Sequence, residues 1–458
     1  MRKAQKQQAQ ELARQMEEAH NQIKKQIEQG NFQPAMALLE ECRNAGIALG
    51  TLIESTEGEG HPTVAVLEEY CELVYRLHEG LSADSGSAAD KINSDKIYKL
   101  LKQKLIKVTN SLKHDVAVRR EAVFLPYKAS MWDSLESVWK AADEDPDCDA
   151  YVIPIPYYDK NPDGSFREMH YEGEQYPDDV PITRYNEFDF GAHHPDMIFI
   201  HNPYDDTNLV TSVHPFFYSD KLRKVTDTLI YIPYFVLGEI SPEDEAAIER
   251  MKHFCTVPGV YHADKVIVQS EEMKQVYIKV LLDAAGSHTE VARNYWENRI
   301  LGLGSPKLDK VSATRREELE IPREWLRVIQ KPDGEWKKII LYNTSVGALL
   351  AHNEKMLEKI EDVLQVFKEN QADIALLWRP HPLIKATLES MRPQLRGKYD
   401  RIVRNYREEG WGIYDDSADL NRAIALSDAY YGDGSSVVQL CVRAGMPVML
   451  EDVEIQAV

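Results

Sequence analysis

The sequence is organised around two stretches, Leu376-Leu377-Trp378-Arg379-Pro380-His381-Pro382 and, further on, Tyr431-Gly432-Asp433-Gly434-Ser435-Ser436-Val437. Each follows an apolar run that is typical of a buried strand, and each breaks that run with residues that bind anions or move protons. In an open α/β sheet, ligands bind beyond the carboxyl ends of the strands. We therefore expect both stretches to face one crevice.

Arg379 and His381 are the first candidates for chemistry. The guanidinium group is always charged and can contact a phosphate through two N–H groups. Prolines on both sides of the histidine restrict the backbone, so the imidazole is presented in a fixed direction. It can donate a proton to a leaving phosphate or stabilise it as a cation, although a lone histidine is more often structural. The pattern predicts a catalytic role for both residues.

Six more polar residues follow strand-like runs in the same part of the chain, and we predict that they contact a bound nucleotide: Thr344, Ser345, Asp433, Ser435, Ser436 and Glu451. The first two hydroxyls can cradle a phosphate or simply cap a helix. The two later serines stand at a predicted helix N-terminus, which favours an anion. The aspartate is expected to cap that helix or contact a substrate hydroxyl, and the glutamate to accept hydrogen bonds from a ribose.

Residues 337–458 alternate between strand-like and helical runs. This predicts a Rossmann-like domain, with a long helix at 354–370 and strands at 338–342, 374–378, 401–403, 412–414, 429–431 and 445–450. Continuous apolar strands between helices are typical of a parallel sheet that is buried on both faces.

Residues 119–310 show the same alternation and predict a first Rossmann-like domain, with strands at 121–127, 150–156, 197–200, 228–232, 265–268 and 299–302. After the last strand, Gly304 can bring backbone N–H groups close to a phosphate and Lys307 adds a charge, unless this is an ordinary glycine turn. The charged stretch 311–336 is predicted to be an interdomain linker.

Residues 1–118 read as helix throughout. Apolar residues recur at steps of three and four, which predicts a helical bundle or coiled-coil region of four helices with a loop at 82–87. The bundle packs on itself or serves as a surface for homo-oligomerisation. The lysines between 96 and 113 either form a solvated face or touch an anionic membrane.

Composition limits the class of protein. The 458 residues include 54 basic and 75 acidic side chains, a formal net charge of -21, which argues against broad nucleic-acid binding. The five cysteines are widely spaced and indicate neither a disulfide framework nor a zinc site. No apolar run is long enough for a membrane span, and the N-terminal stretch lacks a signal-peptide core, so we expect a cytoplasmic protein.

Two α/β domains facing a cleft, with phosphate-type loops in the second, resemble the GT-B architecture. Within it, Trp378-Arg379-Pro380-His381-Pro382 and Asp433-Gly434-Ser435-Ser436-Val437 resemble the Arg-x-His-Pro and Asp-Tyr-Ser-Ser-Val stretches of the CDP-glycerol glycerophosphotransferase family, which polymerises teichoic acids. The stretch 302–309 resembles the interdomain Gly-Tyr-Pro-Arg-Asn-Asp region of that family. The fold expected from the resemblance is α/β and GT-B-like, with two Rossmann-like, doubly wound parallel-sheet domains after an N-terminal helical region.

The resemblance also implies a function. Residues 119–310 would form the acceptor side and residues 337–458 the nucleotide-donor side. Arg379, His381, Ser435 and Ser436 would hold the donor diphosphate, without a metal ion or other cofactor. The implied reaction moves a glycerophosphoryl or glycosyl group from a nucleotide-diphosphate donor to a hydroxyl of a cell-envelope polymer precursor. Such an enzyme is expected in the cytoplasm, with peripheral contact at the inner face of the membrane.

The sequence departs from the family at the proposed catalytic base. Where the family has Trp-His-Gly-Thr-Pro, this chain has Ile232-Pro233-Tyr234-Phe235, with no histidine. The candidates for an acceptor contact or a base are His201, Tyr234 and Glu239. Two alternatives keep the fold: a sugar-nucleotide glycosyltransferase or epimerase, and a catalytically silent nucleotide-binding scaffold.

Overall fold

The computed structural model of the chain describes residues 1–83 and 93–451. These residues form two compact units: one contains residues 1–121 and 145–149, and the other contains the rest of the described chain. The first unit is helical. The second holds both α/β regions and every site discussed below.

The N-terminal unit is a four-helix bundle whose helices are α1 (Lys3–Glu28), α2 (Phe32–Glu57), α3 (Pro62–Ala83) and α4 (Ser94–His114). Helix α1 packs against α2 and α4, and α3 packs against the same two helices, which closes the bundle. Asn93 caps α4 through its side chain, and His20 hydrogen-bonds Tyr70 inside the core at 2.7 Å. Within the described residues, none of the helices is both long and apolar enough to cross a bilayer.

Two details of the bundle differ from the sequence-based expectation. Glycine often ends a helix, yet the third helix continues through Gly80 as far as Ala83. The predicted loop at 82–87 lies mostly outside the described residues, and Ser82 is helical. A role of the bundle in oligomerisation stays a prediction.

The first α/β region is built on a six-stranded sheet with the order β2-β1-β5-β7-β8-β9; its strands are β1 (Arg120–Leu125), β2 (Cys148–Val152), β5 (Met197–Ile200), β7 (Thr228–Tyr231), β8 (Lys265–Val268) and β9 (Ile300–Gly302). The pairings from β1 to β9 are parallel. The order of the strands reverses between β1 and β5, which is where an open sheet leaves a crevice.

A small antiparallel sheet beside this region was missed by the sequence analysis. It has the order β4-β3-β6 and consists of β3 (Tyr157–Lys160), β4 (Phe166–His170) and β6 (Thr211–Val213). A turn at 162–164 connects β3 to β4. The outer strand β4 is largely exposed, so its sequence lacks the apolar run that marks a buried strand.

Helices cover the faces of the first sheet: α5 (Glu136–Asp143), α6 (Phe190–His193), α7 (Ser219–Leu222), α8 (Glu245–Met251), α9 (Pro258–His262), α10 (Glu271–Ala285) and α11 (Glu290–Glu297). Helix α10 begins where the side chain of Ser270 accepts a hydrogen bond from the backbone N–H of Met273. Short 3-10 turns lie at Ala129–Ser134, Gly173–Gln175, Pro215–Phe217 and Lys252–Phe254.

The predicted linker at 311–336 is more regular than expected. It contains the end of α12 (Pro306–Ala313), a 3-10 turn at Arg316–Glu318 and α13 (Arg323–Ile329). Val311, Trp325 and Ile329 are buried in the same hydrophobic cluster as the strands of the second sheet. The segment therefore packs as part of the fold.

The second α/β region has five parallel strands with the order β12-β11-β10-β13-β14: β10 (Lys338–Thr344), β11 (Ile374–Pro380), β12 (Ile413–Tyr414), β13 (Ala429–Gly432) and β14 (Val448–Leu450). In chain order this is 3-2-1-4-5, the Rossmann arrangement. Its helices are α14 (Val346–His352), α15 (Glu354–Glu369), α16 (Ile384–Met391), α17 (Pro393–Glu409), α18 (Leu420–Leu426) and α19 (Ser436–Arg443).

One predicted strand in this region is wrong. Residues 401–403 lie inside α17, where Ile402 and Val403 join Leu395, Tyr399 and Tyr406 on a buried helical face. These residues recur at steps of three and four, and the short apolar run was read without that longer period. The predicted α/β fold class is otherwise confirmed: two regions built on parallel sheets follow an N-terminal helical region.

The end of β13 lies against β10 so closely that only glycine fits. Gly432 has a φ of +137°, and a Cβ added there would lie 2.2 Å from the backbone oxygen of Asn343. Gly434, two residues later, has no heavy atom within 4 Å of the equivalent position.

Replacing Gly432 with alanine should therefore destabilise the second unit by more than about 3 kcal/mol, because the clash is with backbone and the φ angle is strained as well. The Gly434→Ala variant is the matched control and should stay close to the wild type. Urea unfolding followed by tryptophan fluorescence measures both. Equal stability of the two variants would contradict this packing.

Candidate functional site

A cavity of about 260 Å³ lies between the two α/β regions, and we call it the interdomain pocket. The first region contributes Lys128, Ser130, Tyr157, Glu172 and Gln175, and the second contributes residues that follow β11 and β12, among them His381, Lys385, Tyr414 and Ser417. Lys128 and Ser130 follow β1, so the carboxyl ends of parallel strands from both regions supply part of the walls. The small antiparallel sheet and the segment after it supply Tyr157, Glu172 and Gln175.

His381 is held firmly in the wall of this pocket. Its backbone N–H donates to the oxygen of Thr344 at 2.9 Å, and its oxygen accepts from the N–H of Ile384. Its Nδ1 accepts a hydrogen bond from the backbone N–H of Leu383 at 3.1 Å. The ring proton is therefore on Nε2, which is left to act as a donor.

The charge state of His381 follows from its surroundings. Burial, and in second place the positive charge of Lys128, lowers the pKa of His381 to about 4. At neutral pH the imidazole is uncharged, and it offers an N–H to a ligand without carrying a net charge. A bound anion would favour the protonated form.

Opposite His381, the first region presents a buried polar cluster of three residues. Lys128 donates to the hydroxyl of Tyr157 at 2.7 Å, and that hydroxyl donates to Glu172 at 2.7 Å. The second carboxylate oxygen of Glu172 accepts from the backbone N–H of Ala129. Burial lowers the pKa of Lys128, while the Glu172 charge opposes this effect, and burial raises the pKa of Tyr157. The cluster brings an amine, a phenol and a carboxylate to one wall.

Arg379 is engaged inside the protein. Its guanidinium pairs with Asp415, whose side chain is fully buried, and donates to the backbone oxygen of Ser417 at 2.8 Å. A phosphate would have to displace these partners. The geometry therefore favours a structural role for Arg379, which fixes the loop after β12, over the predicted phosphate contact.

Both carboxylate oxygens of Asp433 are also engaged in contacts within the protein. One carboxylate oxygen accepts from the backbone N–H of Ser345 at 2.6 Å, and the other pairs with the buried Lys359 at 3.0 Å. The same ammonium donates to the backbone oxygen of Glu451 and lies 3.8 Å from its carboxylate. Asp433 thus neither caps α19 nor is free for a substrate hydroxyl, and the side chain of Glu451 lies beside a lysine.

The predicted hydroxyl groups are mostly used as caps. Ser345 caps α14 and Ser435 caps α19, and the latter also donates to Asn343 at 3.0 Å. The hydroxyl of the fully buried Thr344 accepts from the indole of Trp378. Ser436 is half-buried in the first turn of α19.

The two sequence stretches that were expected to face one crevice are linked through Asn343, whose amide donates to the backbone oxygen of Arg379 at 2.8 Å and whose side-chain oxygen accepts from Ser435 at 3.0 Å. Among the described residues that line the interdomain pocket, neither Ser435 nor Ser436 occurs. They follow β13, whereas His381 follows β11, and β10 lies between these two strands. Their predicted contact with a donor stays a prediction.

The loop after β9 contains Gly304 and Lys307, which were predicted to contact a phosphate. Gly304 has a φ of +107° and borders a cavity of only about 10 Å³, so this turn requires glycine but has little room beside it. Lys307 is buried and paired with Asp133, which also accepts from the side chain of Asn421. The predicted use of Lys307 as a free phosphate contact therefore conflicts with its ion pair.

None of the three predicted base candidates lines the interdomain pocket. His201 is fully buried: its Nε2 accepts from the N–H of Tyr127, and its Nδ1 pairs with Ser134. Tyr234 packs edge-on against His201, and burial raises the pKa of its hydroxyl. Glu239 is exposed and accepts hydrogen bonds from two side chains after β8. The geometry favours a structural role for His201.

The residues of the opposite wall were not predicted from the sequence. Lys128 and Tyr157 each come shortly after a predicted strand, which was the available signal, but Glu172 lies beyond the β3–β4 hairpin, where no signal marked it.

One group of side chains within the described residues has the spacing of a metal site. Ligand atoms of Asp159, Glu168 and His170 lie within 4.8 Å of one another. The carboxylate oxygen of Asp159 that faces His170 also accepts a hydrogen bond from Arg167 at 2.9 Å. The positive charge of this guanidinium disfavours the binding of a metal cation at the same oxygen. Metal independence stays a prediction.

Lowering the pH from about 7 to about 5 should destabilise the second unit, because unfolded histidine takes up its proton near pH 6.5 whereas folded His201 does not. Burial lowers the pKa of His201 to about 3, so the unfolded state binds protons first and stability falls below about pH 6.5. Urea midpoints should drop less in His201→Gln than in the wild type. The exposed His288→Gln is the control, and an unchanged drop in His201→Gln would contradict the assignment.

No family model and no curated protein matches the chain. Solved structures with a similar fold include a UDP-N-acetylglucosamine 2-epimerase from Listeria monocytogenes (14% identity, 73% of this chain and 79% of that chain, TM-score 0.43) and MnaA of S. aureus with UDP (10%, 72% and 78%, 0.42). The wall teichoic acid polymerase TagF is another (14%, 84% and 80%, 0.38). At these identities and TM-scores the likenesses add no argument about function.

Proposed function

We propose that the chain is a GT-B transferase that moves a glycerophosphoryl or glycosyl group from a nucleotide-diphosphate donor to a hydroxyl of a cell-envelope polymer precursor. One observation carries the proposal: the interdomain pocket brings the free Nε2–H of His381 and the ammonium group of Lys128 to the same cavity from opposite domains.

The donor diphosphate lies between these two groups. Lys128 supplies the charge, His381 donates a hydrogen bond, and Lys385 stands exposed at the rim. A buried cation attracts an anion more strongly than an exposed cation does, because less water screens the two charges. As the bond to the donor breaks, negative charge grows on the leaving nucleotide, and both groups are already in place to stabilise it. Neither the reaction nor the proposal calls for a metal or another cofactor.

Glu172 takes the place of the missing family histidine as the base. It is the carboxylate that the first domain contributes to the pocket, and its position is fixed by Tyr157 and Ala129. The acceptor oxygen forms the new bond, the nucleotide leaves with the bonding electron pair, and the acceptor proton passes to Glu172. This geometry supports Glu172 better than His201, Tyr234 or Glu239.

A second candidate function is a nucleotide-binding scaffold without turnover. The observation that favours it is the internal pairing of Arg379 and Asp433, the charged members of both resemblance motifs. An epimerase of the same fold is the other alternative. Binding without product would identify the first, and an altered sugar released from the donor would identify the second.

Three further expectations belong to this proposal: a cytoplasmic location, homo-oligomerisation through the bundle, and peripheral contact with an anionic membrane. The support for the last is that α4 exposes Leu100 and Ile106 among several lysines.

Lys128→Met and His381→Gln should each weaken the binding of CDP or UDP by about 10- to 100-fold, because each removes a hydrogen bond to a charged group. Isothermal titration calorimetry at neutral pH measures the affinity. Lys398→Met is the matched control, since Lys398 pairs with Glu361 on the helical surface away from the pocket. Unchanged affinity in both pocket variants would exclude this donor site.

Glu172→Gln should lower kcat at least 100-fold, because the amide keeps the shape of the side chain but cannot take the acceptor proton. The KM for the donor should change little. The measurement is product formation from CDP-glycerol or a UDP-sugar with a polyol-phosphate acceptor, across a pH series. A purely structural role predicts instead that kcat is preserved once the variant is folded.

A further inference from the structure

The small antiparallel sheet carries part of one wall of the interdomain pocket. Tyr157 is the first residue of β3, and Glu172, the proposed base, follows the last residue of β4 by two positions. Tyr157 belongs to a hydrophobic core, but none of the five residues of β4 is part of a core cluster in the described chain. Among the described strands, β4 pairs with β3 alone. The position of β4 therefore depends on this pairing and on contacts of its side chains.

One side chain of β4, that of Arg167, contacts two carboxylates that belong to different α/β regions. Its Nη2 donates to Oδ2 of Asp159 in β3 at 2.9 Å and also pairs with Glu389 of α16. Helix α16 belongs to the second region and begins at Ile384, three residues after His381. The guanidinium thus joins the small sheet to the element that follows the candidate donor contact.

A chain of side-chain contacts connects Arg167 to the pocket. Nε2 of His170 lies 3.0 Å from the same oxygen of Asp159 that accepts from Arg167. The imidazole of His170 stacks on Tyr157, its partner in the register of β3 and β4, with ring centroids 5.1 Å apart. The hydroxyl of Tyr157 in turn donates to Glu172 at 2.7 Å. A shift of Arg167 would therefore be transmitted to the proposed base.

The charges around Arg167 show what its loss would change. A carboxylate oxygen of Glu168 lies within 4.8 Å of one of Asp159, and like charges at this distance repel each other. Glu389 has a second cation in Arg396 of α17, so without Arg167 it would stay paired within the second region. The side chains of Arg167 and Glu389 are 33% and 29% exposed, so their pair adds little to overall stability. Its effect is on position, and variants of it should fold.

We propose that Arg167 is a positioning residue of the reaction, although it does not line the interdomain pocket. By pairing with both Asp159 and Glu389, it holds β4 to α16 of the second region. This contact sets where Glu172 stands relative to His381, and a misplacement of about 1 Å can cost up to about 100-fold in rate. The inference rests on the proposed function for the role of Glu172, and it adds the contact between the two regions that aligns the base.

Hydrogen–deuterium exchange tests the contact without a substrate. Glu389→Gln changes only the second region, yet it should speed the exchange of the backbone amides of β4 about two- to fivefold, the range that a partly exposed ion pair allows. Arg167→Met should do the same. The matched controls are Glu361→Gln, whose pair with Lys398 lies within the second region, and Arg184→Met, whose pair with Glu174 lies within the first. Unchanged exchange of β4 in Glu389→Gln would overturn the inference.

Turnover then tests the positioning itself. Arg167→Met and Glu389→Gln should each lower kcat about tenfold. The affinity for CDP or UDP should stay within about threefold, because Lys128 and His381 are untouched.

Two further variants separate positioning from a general structural effect. Arg167→Lys keeps the positive charge and should recover part of kcat. The double variant Arg167→Met with Glu389→Gln should be no slower than Arg167→Met alone, because both changes break one contact. Effects that multiply in the double variant, or an unchanged kcat in both single variants, would overturn the inference. If the wild-type protein turns over no donor, the proposed function fails, and the exchange of β4 still decides whether the contact exists.

Discussion

A charged side chain that is buried needs an oppositely charged or hydrogen-bonding partner. This constraint decides which polar residues at the carboxyl ends of the strands are engaged within the protein and which can contact a ligand. Arg379 pairs with Asp415, Lys359 with Asp433, and Lys307 with Asp133. Each pair ties the end of a strand to a neighbouring loop or helix. The residues that this pairing leaves available define where a ligand can bind.

His381 and Lys128 remain available on opposite walls of the interdomain pocket. Among the described residues, the imidazole of His381 forms a hydrogen bond through Nδ1 only. Nζ of Lys128 donates to the hydroxyl of Tyr157 and lies 3.7 Å from the nearest carboxylate oxygen of Glu172, which is longer than a hydrogen bond. A pocket that already contains a largely buried cation and a fixed N–H donor suits an anion. The proposed chemistry follows from this pairing of groups, with the acceptor side supplied by Glu172.

Most strands and helices were predicted from the sequence, but the hydrogen bonds and ion pairs of the site were not. The reason is that strands and helices are marked by neighbouring residues, whereas the partners in these contacts are far apart along the chain. A strand that is buried on both faces has a continuous apolar sequence, so β10 and β11 were predicted at their observed positions. The partner of Arg379 stands after a different strand, and nothing local marks Asp415 as that partner. His201 looked like a base because it follows a strand, yet its two nitrogens are satisfied by Tyr127 and Ser134. Burial decides between these roles, and burial is a property of the whole fold.

The most direct test of the central claim is a crystal structure of the protein with CDP or UDP bound. The diphosphate is expected between Nε2 of His381 and Nζ of Lys128, with the Arg379–Asp415 pair unchanged. A diphosphate seated instead on the first turn of α19, at Ser435 and Ser436 and out of contact with His381, would contradict the account.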